Sequence, residues 1–178
     1  MTNARKHSRI STVLLVAFLL LSLLAAAQEK KEFSCTVGPL AVISITNNYG
    51  PITVKPSGSS QVLVETIFHS DAVNVVNEQH GDRIELRSTS SRLGTNLVEY
   101  TVLVPAAAFV TLRSSDGTLR AQGLRGDVVL QAASGSVEVT DISDAHLHVK
   151  TLSGPITLAD IRNSHSGHPF GPWQRQAA

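Results

Sequence analysis

Oxygen-bearing side chains recur at matching positions in the last third of the chain. Asp141 is followed three residues later by Asp144, and Asp160 is followed in the same way by Asn163. Carboxylate and amide oxygens are the ligands that Ca²⁺ prefers, so these four residues are candidates for a calcium site at a corner of the chain. Asp and Asn at turns also bond to nearby backbone N–H groups, and this conformational role is the more common one.

Two histidines form the other candidate metal site. Residues two apart in a strand share one face of it, so His146 and His148 are expected to project together. Their imidazoles could bind Zn²⁺ or Cu²⁺, with His165 or His168 as a third ligand. Neither a cysteine nor a suitably spaced carboxylate accompanies the pair, so a solvated outer face is the default interpretation. We therefore predict no resident metal and no cofactor.

Residue pairs suited to catalysis are scarce. Arg120 and Glu138 occupy the same outward position on neighbouring copies of a sequence repeat, and their opposite charges favour a surface ion pair over an acid–base pair. The sequence has no phosphate-binding glycine loop, no Gly-x-Ser-x-Gly elbow and no zinc-protease histidine pair. Cys35 lacks a nucleophile signature and is predicted to be a small, partly buried side chain. We assign no catalytic residue and expect that the protein is not an enzyme.

These residues belong to a chain with the period of β-strands. Short β-branched runs alternate with polar residues, and Gly, Ser, Asn and Asp separate the runs, a pattern typical of strands and turns. No amphipathic helix is predicted after residue 28. Between two of the runs, His80-Gly81-Asp82 predicts a hairpin turn.

A repeat anchored on glycine is the most informative pattern in the sequence. Gly117, Gly135 and Gly154 are 18 and 19 residues apart. In each copy, apolar residues stand seven and five positions before the glycine and two, four and seven positions after it. A partial fourth copy is centred on Gly50, and its Gly-Pro-Ile-Thr sequence recurs at Gly154.

A period of this size predicts an all-β fold, namely a β-solenoid or a closely related stack of β-repeats. Each copy contributes two strands, and the copies share one core because no copy can bury its apolar face alone. The repeated glycine is expected where the chain turns between the two strands, with positive φ or a tight backbone approach. A β-sandwich with coincidental repetition is the alternative. Three ladders of equivalent side chains are expected: Leu119, Val137 and Ile156; Leu112, Leu130 and Val149; and Leu124, Ile142 and Ile161.

The N-terminal segment predicts export. Three basic residues among the first nine precede an apolar run, Val13–Leu24, which is too short to span a bilayer comfortably. A small-residue cleavage pattern, Ala25–Ala27, follows, so residues 1–27 are predicted to be a signal peptide. An uncleaved N-terminal anchor is the alternative.

Charge and cysteine content exclude further classes of protein. The full chain has a net charge of +1, whereas the mature chain, with 12 basic and 14 acidic residues, has a net charge of −2. Binding to a phosphate backbone therefore loses its electrostatic basis, and we expect no nucleic-acid partner. The mature chain contains no predicted membrane span. A single cysteine forms no internal disulfide, so stability has to come from packing.

The rest of the chain divides into three predicted parts. Residues 28–39 are predicted to be an N-terminal linker, residues 40–163 the β-solenoid-like domain, and residues 164–178 an irregular C-terminal tail or cap. The tail breaks the repeat. Either Phe170 and Trp173 cover the last copy, or the last strand is an exposed edge with a liability to pair and aggregate.

Three segments together resemble the bacterial putative adhesin family of exported domains of otherwise unknown function. They are Ile43–Val54, Val98–Pro105 and Val110–Ile161, and the resemblance covers roughly residues 40–162. It implies a β-solenoid-like fold and a location in the envelope or outside the cell. Its motifs are repeat signals without a catalytic residue, so it implies more about fold than about activity.

We therefore expect a non-catalytic binding or scaffolding domain of the bacterial cell envelope, located in the periplasm, in the envelope or outside the cell. Its outer faces are expected to contact a glycan or a surface protein. Two alternatives stay open: a polysaccharide-directed enzyme of the β-helix type, and a purely structural or signalling accessory of the envelope. Neither the ligand nor the oligomeric state follows from the sequence.

Overall fold

The chain folds into two packed β-sheets. The computed structural model describes residues 29–70, 72–90 and 97–162, and these residues form thirteen strands and no helix. The predicted all-β class is therefore confirmed, in the form of two mixed sheets. The predicted signal peptide, Asn163 and the predicted tail lie outside the described residues. Within the described ranges, no helix is long and apolar enough to cross a membrane.

One sheet has seven strands, of which the first three are joined by antiparallel pairing and the others by parallel pairing. The parallel part alternates apolar residues that face the core with polar residues that face outward. In spatial order the strands are β1 (Glu29–Thr36), β4 (Gln61–Phe68), β7 (Val98–Val104), β3 (Ile52–Pro56), β9 (Leu119–Gln122), β11 (Val137–Ser143) and β13 (Ile156–Arg162).

The other sheet has six strands, and all of its pairings are parallel except that of β5 with β6. In spatial order its strands are β12 (Leu147–Ser153), β10 (Val128–Ser134), β8 (Phe109–Asp116), β2 (Val42–Tyr49), β6 (Arg83–Ser90) and β5 (Val73–His80). The predicted hairpin turn joins β5 to β6, with His80 opposite Arg83. Gly81 in this turn has a φ of 60°, which a glycine adopts without a steric cost.

The core lies between the inner faces of the two sheets. Ile43 and Ile45 of β2 are completely buried, as are Ile52 and Val54 of β3. The polar residues between them point outward, which follows from the alternation of side chains along a strand. Because strands of both sheets contribute the same pattern, one continuous apolar core runs through the stack as far as β11 and β12.

The predicted ladders of equivalent side chains are observed. Val137 pairs with Leu119 on one side and with Ile156 on the other. In the six-stranded sheet, Leu130 pairs in the same way with Leu112 and Val149. The third ladder has one departure. Ile142 pairs with Ile161, whereas Leu124 follows the end of β9 and its carbonyl accepts a hydrogen bond from the Ser143 N–H at 3.1 Å.

The order of the stack differs from the order of the chain. The partial copy around Gly50, which comprises β2 and β3, lies directly against β8 and β9. On its other side it pairs with β6 and β7, which come later in the sequence than β2 and β3. The sequence repeat does not reveal this fifth pair of strands because no template glycine joins β6 to β7. The first copy therefore becomes the middle of the stack.

The segment predicted to be an N-terminal linker, residues 28–39, instead contains a strand. All eight residues of β1 pair with β4, and Phe33 and Cys35 pack against the core. The charged start of this segment, Glu29–Glu32, conceals the strand alternation in the sequence. Only two residues of β1, Phe33 and Cys35, are apolar side chains that pack against the core.

The repeated glycines form a column in which backbone lies directly on backbone. A Cβ atom on Gly117 would overlap the carbonyl group of Gly50, and one on Gly135 would overlap that of Gly117. Gly154 stands in the same relation to Gly135. Gly50, Gly135 and Gly154 also have positive φ angles, between 110° and 132°. Both reasons anticipated for the glycines are thus present, and Gly117 shows the close approach without positive φ.

Gly117→Ala tests the close approach separately from backbone strain. Overlap with the Gly50 backbone has to push two pairs of strands apart, so we expect the free energy of unfolding to fall by about 2–3 kcal/mol. Gly58→Ala is the control, because Gly58 has a φ of 66° and open space around its Cα, for a cost of about 1 kcal/mol. Urea denaturation of the purified variants measures both. Equal losses would show that the column imposes no packing constraint.

Candidate functional site

An open groove crosses the outer face of the six-stranded sheet near the carboxyl ends of its parallel strands. It encloses a volume of about 400 Å³ and runs over β2, β8, β10 and β12. We call this surface the outer groove. Its exposed walls are formed by Thr46, Arg113, Ser115, Gln131, Lys150 and Leu152.

Parallel pairing positions a row of polar side chains along the outer groove. Thr46 pairs with Arg113, Arg113 with Gln131, and Gln131 with Lys150. Each of them stands four residues before a template glycine, between two inward-facing neighbours. Successive members of this polar row are therefore held about 4.8 Å apart along the stack.

The outer groove carries positive charge without a local counter-charge. Arg113 Nε donates a hydrogen bond to Gln131 Oε1 at 3.1 Å, so a neutral partner orients the guanidinium. In the described part of the chain, neither Arg113 nor Lys150 forms a salt bridge. By contrast, Arg87, at the same level on β6, lies 2.6 Å from Glu85.

Buried polar groups underlie the groove. Asn47 Nδ2 donates hydrogen bonds to the carbonyl oxygens of Gly50, at 3.1 Å, and Val98, at 2.8 Å. Ser88 Oγ donates to Asn47 Oδ1 at 2.7 Å. Asn47 therefore fastens the turn of the central copy to β7, and it is almost completely buried.

Ser114 occupies the position equivalent to Asn47 on β8. Its side chain is 6% exposed, and its hydroxyl has no hydrogen-bond partner among the described residues. Ser114 also lines the outer groove. A buried hydroxyl without a hydrogen-bond partner is costly, and Ser114 lies on the inward-facing side of β8 together with Val110 and Leu112.

Asp141 and Asp160, predicted as calcium candidates, occupy equivalent bends in β11 and β13. Their φ angles are 54° and 53°, and the strand pairing skips both residues. Gly123, at the equivalent position six residues after its template glycine, has a φ of 68°. Left-handed backbone is tolerated by Gly, Asp and Asn. The feature that Gly123, Asp141 and Asp160 share is therefore a left-handed backbone conformation.

The other calcium candidates add no further oxygen ligands that the structure describes. Asp144 also has left-handed backbone, with a φ of 56°, and Asn163 lies outside the described residues. Among residues 29–70, 72–90 and 97–162, no group of three or more His, Cys, Asp or Glu side chains could hold a metal ion.

The predicted histidine pair lies at the start of β12. The His146 backbone N–H donates to Asp127 Oδ1 at 2.9 Å, and its ring Nδ1 lies 3.1 Å from the same oxygen. The backbone hydrogen bond is the main reason that the pKa of Asp127 is lowered. This contact therefore stabilises the fold above the unfolded-state pKa and is lost as the pH falls through the lowered value. His148 is exposed two residues further on, and His165 and His168 lie outside the described residues.

The residues considered for catalysis lie in an exposed ion pair and in a half-buried strand position. Arg120 forms the predicted ion pair with Glu138, through two hydrogen bonds of 2.8 and 3.2 Å. Both side chains are nearly half exposed, so the pair contributes about 0–1 kcal/mol. Cys35 is half-buried in β1, and burial raises the pKa of its thiol, which disfavours the nucleophilic thiolate.

The outer groove was not predicted from the sequence, although a signal for it is present. Arg113, Gln131 and Lys150 share one position of the repeat, four residues before the glycine. The same register that identified Arg120 and Glu138 as neighbours brings these three side chains together. Their importance depends on the absence of a carboxylate among the groove-lining residues that the structure describes, and strand order decides which strands are neighbours.

Solved structures show where this fold occurs elsewhere. A putative cell adhesion protein from Clostridium sporogenes ATCC 15579 is similar at 9% identity, with a TM-score of 0.50, over 76% of this chain and 100% of that chain. A putative adhesin from Bacteroides fragilis NCTC 9343 is aligned at 11% identity, with a TM-score of 0.28, over 77% and 98% of the two chains. Only the first TM-score supports an argument, and at this identity it shows the fold alone. No family model and no curated protein matches the sequence.

Replacing Asp141 distinguishes a conformational role from calcium binding. Asp141→Gly introduces the residue type found at the equivalent position directly after β9, Gly123, so we expect an unchanged or higher melting temperature. Asp141→Ala should lower the free energy of unfolding by about 1 kcal/mol, because alanine tolerates left-handed backbone poorly. Thermal melts with added Ca²⁺ and with chelator provide the measurement. Equal destabilisation by both variants, together with a calcium-dependent melting temperature in the unsubstituted protein alone, would assign the carboxylate a ligand role.

Proposed function

We propose that this protein is an exported, non-catalytic binding domain of the bacterial envelope, and that the outer groove binds an acidic polysaccharide. The observation that carries the proposal is the unpaired positive charge of Arg113 and Lys150 on a rigid polar row. The name of the structural neighbour with a TM-score of 0.50, a putative cell adhesion protein, is consistent with a surface-binding role.

The architecture behind the proposal is a short solenoid-like stack. Four glycine-centred copies and the β6–β7 pair lie side by side in parallel register. This interpretation supports a binding role because a stack of similar repeats presents equivalent side chains at regular intervals. An extended polymer with regular chemical groups matches such a surface better than a compact small molecule.

Charge and spacing favour an acidic polymer over a neutral one. Arg113 and Lys150 are two strands apart, which places them about 9.6 Å from each other along the stack. Gln131 between them and Ser115 beside them supply hydrogen-bonding groups suited to sugar hydroxyls. Charge-assisted hydrogen bonds from Arg and Lys to carboxylate or sulfate are about twice as strong as neutral ones. A chain of uronic acid or sulfated sugar residues would satisfy both features.

Binding is favoured over polysaccharide hydrolysis by the composition of the groove. Acid–base hydrolysis of a glycosidic bond requires paired carboxyl groups flanking the scissile bond. The residues that line the outer groove in the described structure include two cations and no carboxylate. The export that we propose depends on the predicted signal peptide in residues 1–27. An exported domain would meet acidic polysaccharides outside the cytoplasm.

Binding to polygalacturonate, with dextran as the neutral polymer, tests the proposal. The purified protein should bind polygalacturonate and not dextran. Its affinity for polygalacturonate should fall with added salt because the contacts are ionic. Arg113→Ala combined with Lys150→Ala should weaken binding about tenfold or more. The matched control, Lys55→Ala with Arg83→Ala, removes the same charge outside the groove and should leave the affinity nearly unchanged.

Three results would contradict the proposal. Equal loss in both double variants would indicate non-specific attraction, and absence of binding to any acidic polymer would favour a structural accessory or a protein partner. Release of reducing or unsaturated sugar ends would indicate the enzyme alternative.

A further inference from the structure

The stack has a cleft at the end where β1 and β5 are the edge strands of the two sheets. The cleft lies between β1 and β4 of one sheet and β5 and β6 of the other, and it has a volume of about 200 Å³. Its walls include two aromatic side chains, Phe33 and Phe68, and three aliphatic ones, Val64, Val75 and Leu86. We call this space the end cleft.

The end cleft exists because the inward ladders of side chains are incomplete at the edge strands. In the six-stranded sheet, the ladder that passes through Ile45 and Leu86 ends at Asn77 of β5. Ile45 and Leu86 are at most 1% exposed, whereas Asn77 is exposed. In the seven-stranded sheet, the fully buried Val64 pairs with Phe33 of β1, which is only partly buried. The last rung of each ladder is therefore incompletely covered, and the space beside it is the end cleft.

The charged residues at the mouth of the end cleft neutralise one another. Lys31 Nζ lies 3.0 Å from Glu29 Oε1 and 4.9 Å from the centre of the Phe68 ring. Glu32 Oε1 lies 2.9 Å from Lys30 Nζ. Since both charges that line the cleft already have partners of opposite charge, its mouth favours an uncharged ligand over an ionic one. The Asn77 amide, which also lines the cleft, can both donate and accept a hydrogen bond.

We infer that the end cleft binds an uncharged compound with one aromatic ring and a hydroxyl group, that is, a small phenol. A cavity of about 150 Å³ lined by aliphatic and aromatic side chains holds benzene, so the volume of the end cleft suits one ring with a small substituent. Offset or edge-to-face contact with Phe33 and Phe68 favours an aromatic ring over an aliphatic group of the same size. The phenolic hydroxyl would lie at the mouth of the cleft, within reach of the Asn77 amide.

Titration of the purified protein with p-cresol, followed by NMR of its methyl groups, tests the inference. The methyl resonances of Val64 and Leu86, which lie at the base of the end cleft, should shift and saturate with a Kd of about 1 mM or below. The comparison compound is 4-methylcyclohexanol, which has a similar outline and the same hydroxyl group without the aromatic ring. It should bind at least about threefold more weakly, because it lacks the ring contacts with Phe33 and Phe68.

Substitutions in β5 locate the binding site. Val75→Phe fills the end cleft from its wall and should abolish the saturable shifts. The matched control is Val76→Phe, because the next residue of the strand faces outward and lines a different surface; its affinity for p-cresol should be unchanged. Asn77→Leu alters an exposed position and should weaken binding about two- to tenfold through loss of the hydrogen bond to the hydroxyl. Circular dichroism checks that each variant keeps the β-fold, and Asn77→Leu provides the test if Val75→Phe does not.

Three outcomes overturn the inference. Unchanged Val64 and Leu86 resonances at p-cresol concentrations about ten times the expected Kd would show that the cleft stays empty. Equal affinity for 4-methylcyclohexanol would show that it accepts any apolar group. Equal loss of binding in Val75→Phe and Val76→Phe would place the site elsewhere. None of these readouts involves the outer groove, since the end cleft is lined by β1, β4, β5 and β6, so either site can fail its test while the other passes.

Discussion

The fold depends on the contact of backbone with backbone along the glycine column. Gly50, Gly117, Gly135 and Gly154 meet the carbonyl group of the preceding level where a Cβ atom would otherwise lie. This contact lets successive copies approach to the spacing of hydrogen-bonded strands at the point where the chain passes from one sheet to the other. Any side chain there would separate the copies and break the ladders on both sides.

The strand register that this contact sets aligns both the inward-facing and the outward-facing side chains of neighbouring copies. The inward ladder of Leu119, Val137 and Ile156 gives the core its continuity, and the outward positions inherit the same alignment. Arg120 meets Glu138 for that reason, and Arg113, Gln131 and Lys150 fall into one row. The groove and the core are therefore two faces of one pairing scheme, and shifting the register would remove both.

Interruptions of the pattern explain where prediction from sequence failed. Strands β1, β4 and β6 carry no template glycine, so the repeat does not mark their pairing with β4, β7 and β2, which are distant in sequence. Strand β1 is concealed further by its charged residues. Asp141 and Asp160 were correctly identified as equivalent positions, but their left-handed backbone could not be distinguished from a ligand role by residue type, because both uses favour Asp.

The sequence by itself determined the strand period, the glycine spacing and the alignment of neighbouring copies, because these depend on local alternation and on a residue that only close packing requires. Only the tertiary structure decided which copies are neighbours, since β6 and β7 insert on the far side of β2 and β3. It also decided which charges lack partners and which apolar residues stay open. Those properties belong to surfaces assembled from distant segments, and strand order in space, not order along the chain, sets their composition.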